Sequence, residues 1–258
     1  MINSIFKSIA VCLIALVSIN SNVNAQGCTG GDGCEIINTV TTAVPFLRIT
    51  PDARSGAMGD VGIAISADPN AIYWNAAKLA FGEQDMGVSV TYTPWLSELV
   101  NVIYLADVSG YKKIDDLQAV GVGLRYFSLG NIVFTDENGN VLRQFKPNEF
   151  AIDGAYARKF TDNLSGALNL KFVYSNLASG QAVQGDEIKA GPTVAADVSV
   201  YNKIPIKHSG NGAEFAWGVN ISNIGAKISY TEATAVKDFI PTNLGIGTAY
   251  TMYLDDYN

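Results

Sequence analysis

Four places in this chain carry side chains of the kinds that do chemistry. The first is Cys28-Thr29-Gly30-Gly31-Asp32-Gly33-Cys34, two thiols across a spacer of glycine and aspartate. A structural Zn²⁺ site wants four N or S ligands, and no further ligands accompany this pair. An exported chain permits a disulfide, and the spacer is supple enough to close a small loop. A Cys28–Cys34 disulfide is therefore expected, with free thiols as the alternative. The second is His208, the one histidine, in a turn rich in Gly and Lys, where it reads as idle. The third is Asp136-Glu137-Asn138-Gly139-Asn140, which lacks the ligand spacing and distal Glu of a calcium loop and reads as a solvated tip. The fourth is a pair of opposite charges, Asp153 and Lys171, each alone among small residues. There is no G-x-S-x-G, phosphate loop, metal His pair or dinucleotide fingerprint. The expectation is no enzyme, no cofactor and no metal.

The elements that hold these residues begin with an export signal. Residues 1–25 carry one early cation, Lys7, then the apolar run Ile9 to Val17, then Val23-Asn24-Ala25. This is the layout of a signal peptide cleaved after Ala25. The run is too short for a membrane helix of about 20 residues. Loss of Lys7 takes the formal charge from −7 to −8, which disfavours nucleic acid as a partner. Charged residues make up only 16% of the chain, against about 25% in ordinary soluble proteins. No later stretch reaches 18 consecutive apolar residues. Two readings remain: a buried soluble β protein, or a barrel whose outer wall faces lipid.

From residue 86 onward apolar and small side chains alternate, the period of strands with two unlike faces. Leu164, Leu168, Leu170, Phe172 and Tyr174 share one face, and Ser165, Ala167, Asn169, Lys171 and Ser175 the other. The segments run over about 86–95, 99–110, 117–130, 149–160, 164–175, 190–202, 213–224 and 242–254. They are longer than globular strands of about 5–6 residues and match spanning strands of about 9–11. The second face is Gly, Ala and Ser, where a soluble sandwich would show Lys, Glu and Gln. Mid-segment charges Arg125, Asp153, Lys171 and Asp197 fall on that small-residue face, as a lumen would impose. Asn101, Asp107 and Arg158 are read as breaks in the apolar face near segment ends, and Tyr92, Tyr126, Tyr156 and Tyr174 as members of it.

Joints at 111–116 and 161–163 are short, and those at 131–147, 179–189 and 225–241 are long. Short turns belong in the periplasm and long loops outside. The joint at 203–212 is long for its side. Keeping Ile152 and Leu170 on one face fixes the register across Thr161-Asp162-Asn163. Phe160 then pairs with Leu164, and Asp153 lies opposite Lys171 on the inner face as an expected lumen ion pair.

Residues 52–81 have no period. Within the N-terminal segment 26–85 they are expected to fill the lumen as a plug, or else to form an ordinary loop outside the barrel of residues 86–258. Arg54, Gly56, Met58, Gly59, Asp60, Tyr73, Trp74 and Asn75 are the candidate plug motif, and Gly56, Gly59 and Gly62 would permit tight backbone packing. The run from Thr42-Ala43-Val44-Pro45 through Gly62, then Tyr73-Trp74-Asn75 to Phe81, resembles the N-terminal signature of the PorV (LptO) family of type IX secretion systems, within the FadL-like superfamily. The likeness continues in Tyr92–Leu96, Leu124–Gly130, Asn148–Phe160 and Leu164–Gly180.

This resemblance implies an all-β fold, an antiparallel transmembrane β-barrel of 14 strands in the outer membrane of a Bacteroidetes-type cell. About eight strands are present here, so a C-terminally truncated barrel is expected. It also implies a shuttle that binds the C-terminal signal domain of secreted cargo and passes it from the translocon barrel to a surface sortase. Asn75-Ala76-Ala77 stands where the superfamily often has Asn-Pro-Ala. Recognition would fall to the outer loops. The rival readings are a FadL-like transporter of hydrophobic small molecules and a soluble secreted β-sandwich.

Overall fold

A computed structural model describes residues 42–95, 102–135, 138–180, 182–183, 186–206, 212–231 and 237–253, all of them in one unit. The signal segment 1–25, Cys28, Cys34, Asn101, Asp136, Glu137 and His208 lie outside the described residues.

Eight long strands form one antiparallel sheet curled into a half-barrel. They are β1 (Met86–Pro94), β2 (Tyr104–Lys113), β3 (Gln118–Ser128), β6 (Asn148–Lys159), β7 (Leu164–Asn176), β10 (Gly191–Ile206), β11 (Ala213–Gly225) and β12 (Asn243–Met252). Each pairs with the next long strand in chain order, whether the joint between them is short, as at 161–163, or long, as at 226–242. Two small hairpins, β4–β5 (Ile132–Thr135, Val141–Phe145) and β8–β9 (Ala182–Val183, Asp186–Glu187), grow from the long-loop end. Among the described residues β1 and β12 pair on one side only. No described helix is long and apolar enough to cross a membrane.

The period-two pattern becomes two physically different faces. Val88, Val122, Ile152, Leu170, Val194 and Ile246 project from the convex face and are half to three-quarters exposed. The concave face carries Ala119, Ala155, Ala157, Ser165 and Ser199, all buried under residues 42–81. Small side chains there leave room for that second layer. Phe160 donates its N–H to the Leu164 carbonyl at 2.8 Å, closing the turn at 161–163, and the register places Asp153 opposite Lys171.

Three sequence expectations change. Asp107 belongs to the concave face: it pairs with Arg125 across β2–β3 and is 6% exposed. The alternation of β2 misleads because its inner positions also include Leu105 and Tyr111, both buried. Tyr111 lies over Gly82 and Gly87, where an added Cβ would stand under 3 Å from the ring. β2 also runs on through Lys112 and Lys113, which read as turn residues but pair with the start of β1 or β3. Finally, β10 extends through Pro205 to Ile206, which shortens the joint that looked too long.

β11 contains a bulge. Ala196 pairs with Ile224 but Val198 pairs with Ile221, so β11 has one extra residue. Asn223 takes the left-handed backbone, φ 58°, which asparagine tolerates better than most residues. Ser222 and Asn223 therefore both lie buried between the outward Ile221 and Ile224.

Candidate functional site

The concave wall carries a ladder of charges, each placed by strand register. Arg125 Nε donates to Asp107 Oδ2 at 3.3 Å, and the Tyr73 ring lies 4.3 Å from the Arg125 guanidinium. Two strands further on, Lys171 Nζ is 3.1 Å from Asp197 Oδ2, 2.9 Å from Asn223 Oδ1 and 3.8 Å from Asp153 Oδ1. Asn169 Nδ2 donates to Asp197 Oδ2 at 3.0 Å. The Asn223 backbone N–H donates to Asp197 Oδ1 at 2.7 Å. The bulge thus aims one residue's backbone and side chain at the same ion cluster. Lys171 and Asp197 are held by several partners each, which is the condition for tolerating their desolvation, while Asp153 Oδ1 accepts no hydrogen bond and leans on the Lys171 charge. Among the described residues no three His, Cys, Asp or Glu side chains gather as a metal site would require.

Residues 42–81 cross the concave face from the long-loop end to the short-turn end. At the first end Phe46 and Leu47 pack with Leu105, Phe127 and Val173. A short helix, Ala53–Ala57, follows, capped by Asp52, whose carboxylate accepts from Ser55 N and from Trp74 Nε1, both at 2.7 Å. Gly62 lies flat against the Trp74 ring; a Cβ there would stand 2.0 Å from it, so only glycine fits. At the second end a short helix (Ala71–Trp74) leads into a 3-10 turn (Ala76–Phe81) beside β3, β6, β7 and β10.

Asn75 fastens this end. It is fully buried, and its Nδ2 donates to the carbonyls of Ile63 at 3.2 Å and Val200 at 3.0 Å. Its Oδ1 accepts from Ala77 N at 3.1 Å, capping the turn with Ala76 in the following position. Ser165 Oγ donates to Ala77 O at 2.7 Å, and Ser199 Oγ accepts from Ala77 N at 3.2 Å. Asn75→Ala strips two buried carbonyls of their donor, at about 1–3 kcal/mol each. The expected result is earlier proteolytic cutting within 42–81 while the sheet's circular dichroism is retained. Unchanged cutting would show that Asn75 is not the fastening.

Lys78 is wholly buried and donates from Nζ to Gly62 O at 2.6 Å. Burial lowers its pKa from 10.5 to about 8, with Asp68 opposing the fall. The unfolded chain keeps this proton up to about 10.5 while the folded one sheds it near 8. Between those values the unfolded state binds more protons, so stability rises with pH. Below pH 8 the full cost of burying the ammonium remains. Urea midpoints in detergent micelles should climb across that window, and Lys78→Met should flatten the climb.

The other motif residues occupy the surface of this layer. Arg54 reaches Asp68 Oδ2 at 3.0 Å and Ser66 Oγ at 2.7 Å. Gly56 has room for a Cβ, Gly59 turns the chain at φ 77°, and Met58 is 45% exposed. Asp60 accepts from Thr50 Oγ1 at 2.6 Å. The structure brings Tyr73 and Asn75 onto the wall, and leaves Arg54 and Met58 away from it. Residues that sequence reasoning missed are Asp52, Lys78, Ser165, Ser199 and Asn223. An acid before Ala-Arg-Ser is a capping signal; the others give none.

The long-loop end is closed by the segment after β11. Ile228 and Ile240 are buried with Phe46 and Leu47. Ala43 N donates to Phe239 O at 2.9 Å, and Asn223 Nδ2 to Pro241 O at 3.1 Å. Tyr230 Oη donates to Ser175 Oγ at 2.9 Å, which in turn donates to Glu149 Oε1 at 2.6 Å.

The family model described as Type IX secretion system protein PorV matches residues 34–258. A search of curated proteins finds no match. With an outward apolar wall, a packed inner layer and a family match over most of its length, the chain belongs to the PorV family of type IX secretion system outer-membrane proteins.

Proposed function

We propose that this protein is a shuttle and scaffold of the type IX system, exported by its signal segment and set in the outer membrane. In this reading residues 42–81 are a fixed lumen plug. The long loops face outward and receive the C-terminal signal domain of secreted cargo from the translocon barrel, for delivery to the surface sortase. The observation that carries the reading is an interior occupied at both ends. Phe46, Leu47, Ile228 and Ile240 occupy one end, and residues 71–81 occupy the other. A polar hollow of about 320 Å³ remains between this layer and β7, β11 and β12, but with both ends occupied the arrangement favours work at the rim over passage through the middle. The rim offers the β4–β5 hairpin, where Val141 and Leu142 are 62% and 68% exposed. Arg143 braces it, donating to the carbonyls of Ser179 at 2.8 Å and Gly180 at 3.3 Å.

The test is capture of an isolated cargo C-terminal domain by the protein in lipid nanodiscs. Val141→Asp with Leu142→Asp should weaken capture at least tenfold. Equal capture by both forms removes the hairpin from the contact, and no capture by the unaltered protein removes the shuttle reading.

A second reading, a transporter of hydrophobic small molecules, has one observation in its favour. A largely apolar hollow of about 830 Å³ lies beside residues 45–60 at the free edge of β1, lined by Phe46, Ile49, Tyr92, Pro94, Trp95 and Phe127. Saturable binding of a long-chain fatty acid without capture of cargo domains would favour it.

A further inference from the structure

The convex wall is not uniformly ridged. Halfway along β6, outward positions become small at Gly154 and, two strands away, at Ala196. Between and around them stand Ile152, Leu170, Phe172, Val194 and Ile224, each 41–59% exposed. Together they frame a hollow of about 600 Å³ on the outside of the sheet. A Cβ added at Gly154 would meet nothing within 4 Å, so the floor is open. The bulge at Ser222–Asn223 adds to the shape by bending β11 where Ile224 forms the far wall. Phe150 and Phe172, with ring centroids 6.3 Å apart, stiffen the near wall.

We infer that this hollow is a seat for a single acyl chain of an outer-membrane lipid. Its side-chain lining is hydrocarbon. Asp153 and Lys171 contribute to it from the sheet itself while their charged ends are tied together on the opposite face. An occupant with polar groups would lose hydration there and gain no partner. The hollow is continuous with the apolar outer positions of every neighbouring strand, so its surroundings are the same hydrocarbon that the proposed membrane placement brings to the wall. A flexible chain fills an irregular groove that rigid side chains leave empty, and supplies the dispersion attraction that the bare floor at Gly154 lacks. The inference rests on the outward wall meeting lipid.

The test uses the full chain in vesicles of phospholipid doped with spin-labelled phospholipid. Electron spin resonance counts the motionally restricted lipids per chain, and native mass spectrometry after detergent extraction shows which are retained. Gly154→Leu and Ala196→Leu, made separately, fill the floor; Val88→Leu on β1 alters the same wall elsewhere. Heat-dependent gel mobility confirms folding of each. The expected result is one retained lipid in the unaltered protein and in Val88→Leu, lost in both floor variants. Equal retention in all four forms, or retention in none, overturns the seat while a restricted lipid shell persists. Loss of capture of a second barrel protein, with retained lipid unchanged, also overturns it. Absence of any restricted lipid overturns the membrane placement instead.

Discussion

Replacing Lys171 with methionine is expected to destabilise the fold by about 3–5 kcal/mol, the range for removing one partner from a buried ion cluster. Lys171 is 6% exposed and sits among Asp153, Asp197 and Asn223. Methionine keeps most of the side chain's volume, so little of the loss is packing. What remains is two buried carboxylates that have lost the cation between them. Asp197 would keep its bonds from Asn169 and the Asn223 backbone. Asp153 Oδ1 accepts no hydrogen bond even now and depends on the ammonium for its charge balance. Adding Asp153→Asn to Lys171→Met should therefore recover a larger share of stability than adding Asp197→Asn. Unfolding in urea, followed by tryptophan fluorescence in micelles, reads both steps. A loss below about 1 kcal/mol would mean that water reaches the cluster and screens it.

Arginine in place of Val122 should cost about 2–4 kcal/mol, the range for a cation at the middle of a barrel's lipid face. Val122 lies midway along β3 and is 66% exposed. On a water-facing surface an exposed valine gives way to arginine almost without penalty. The same change at Met86, the first residue of β1 and 63% exposed, should cost only about 0–1 kcal/mol, because a strand end lies near the headgroups. Equal exposure with unequal cost is the signature of a medium that varies with depth. Refolding free energies into vesicles measure it. Equal, near-zero costs at the two sites would place water on the convex wall and revive the secreted sandwich.

The strands were legible in the sequence because one face had to be small and the other apolar along nearly their whole length. Leu168, Leu170, Phe172 and Tyr174 could share a side in only one register, and that register carried Asp153 to a place opposite Lys171. β2 was less legible. Its inner face holds Leu105 and Tyr111 beside Asp107, so apolar residues fall on both sides and alternation loses its sign. The bulge was hidden for a related reason: Ile221-Ser222-Asn223-Ile224 reads as the end of a pattern, while the strand continues through it with two inward residues. The inner layer had no period to read. Asn75 and Lys78 bond to main-chain atoms outside their own turn, Asn75 to Val200, 125 residues away, and Lys78 to Gly62, while Ser199 of β10 accepts from Ala77 N. Such bonds depend on tertiary placement, and a polar residue in an irregular stretch looks the same whether it fastens a layer or meets solvent.

The two margins of the sheet, unpaired among the described residues, set an arithmetic condition. β1 and β12 are separated by six strands, each reversing the direction of the one before, so they run in opposite senses. A ring in which every neighbour is antiparallel admits only an even total. Any strands that bridge the gap from β12 back to β1 must therefore arrive in twos, and an odd arrival would force one parallel seam.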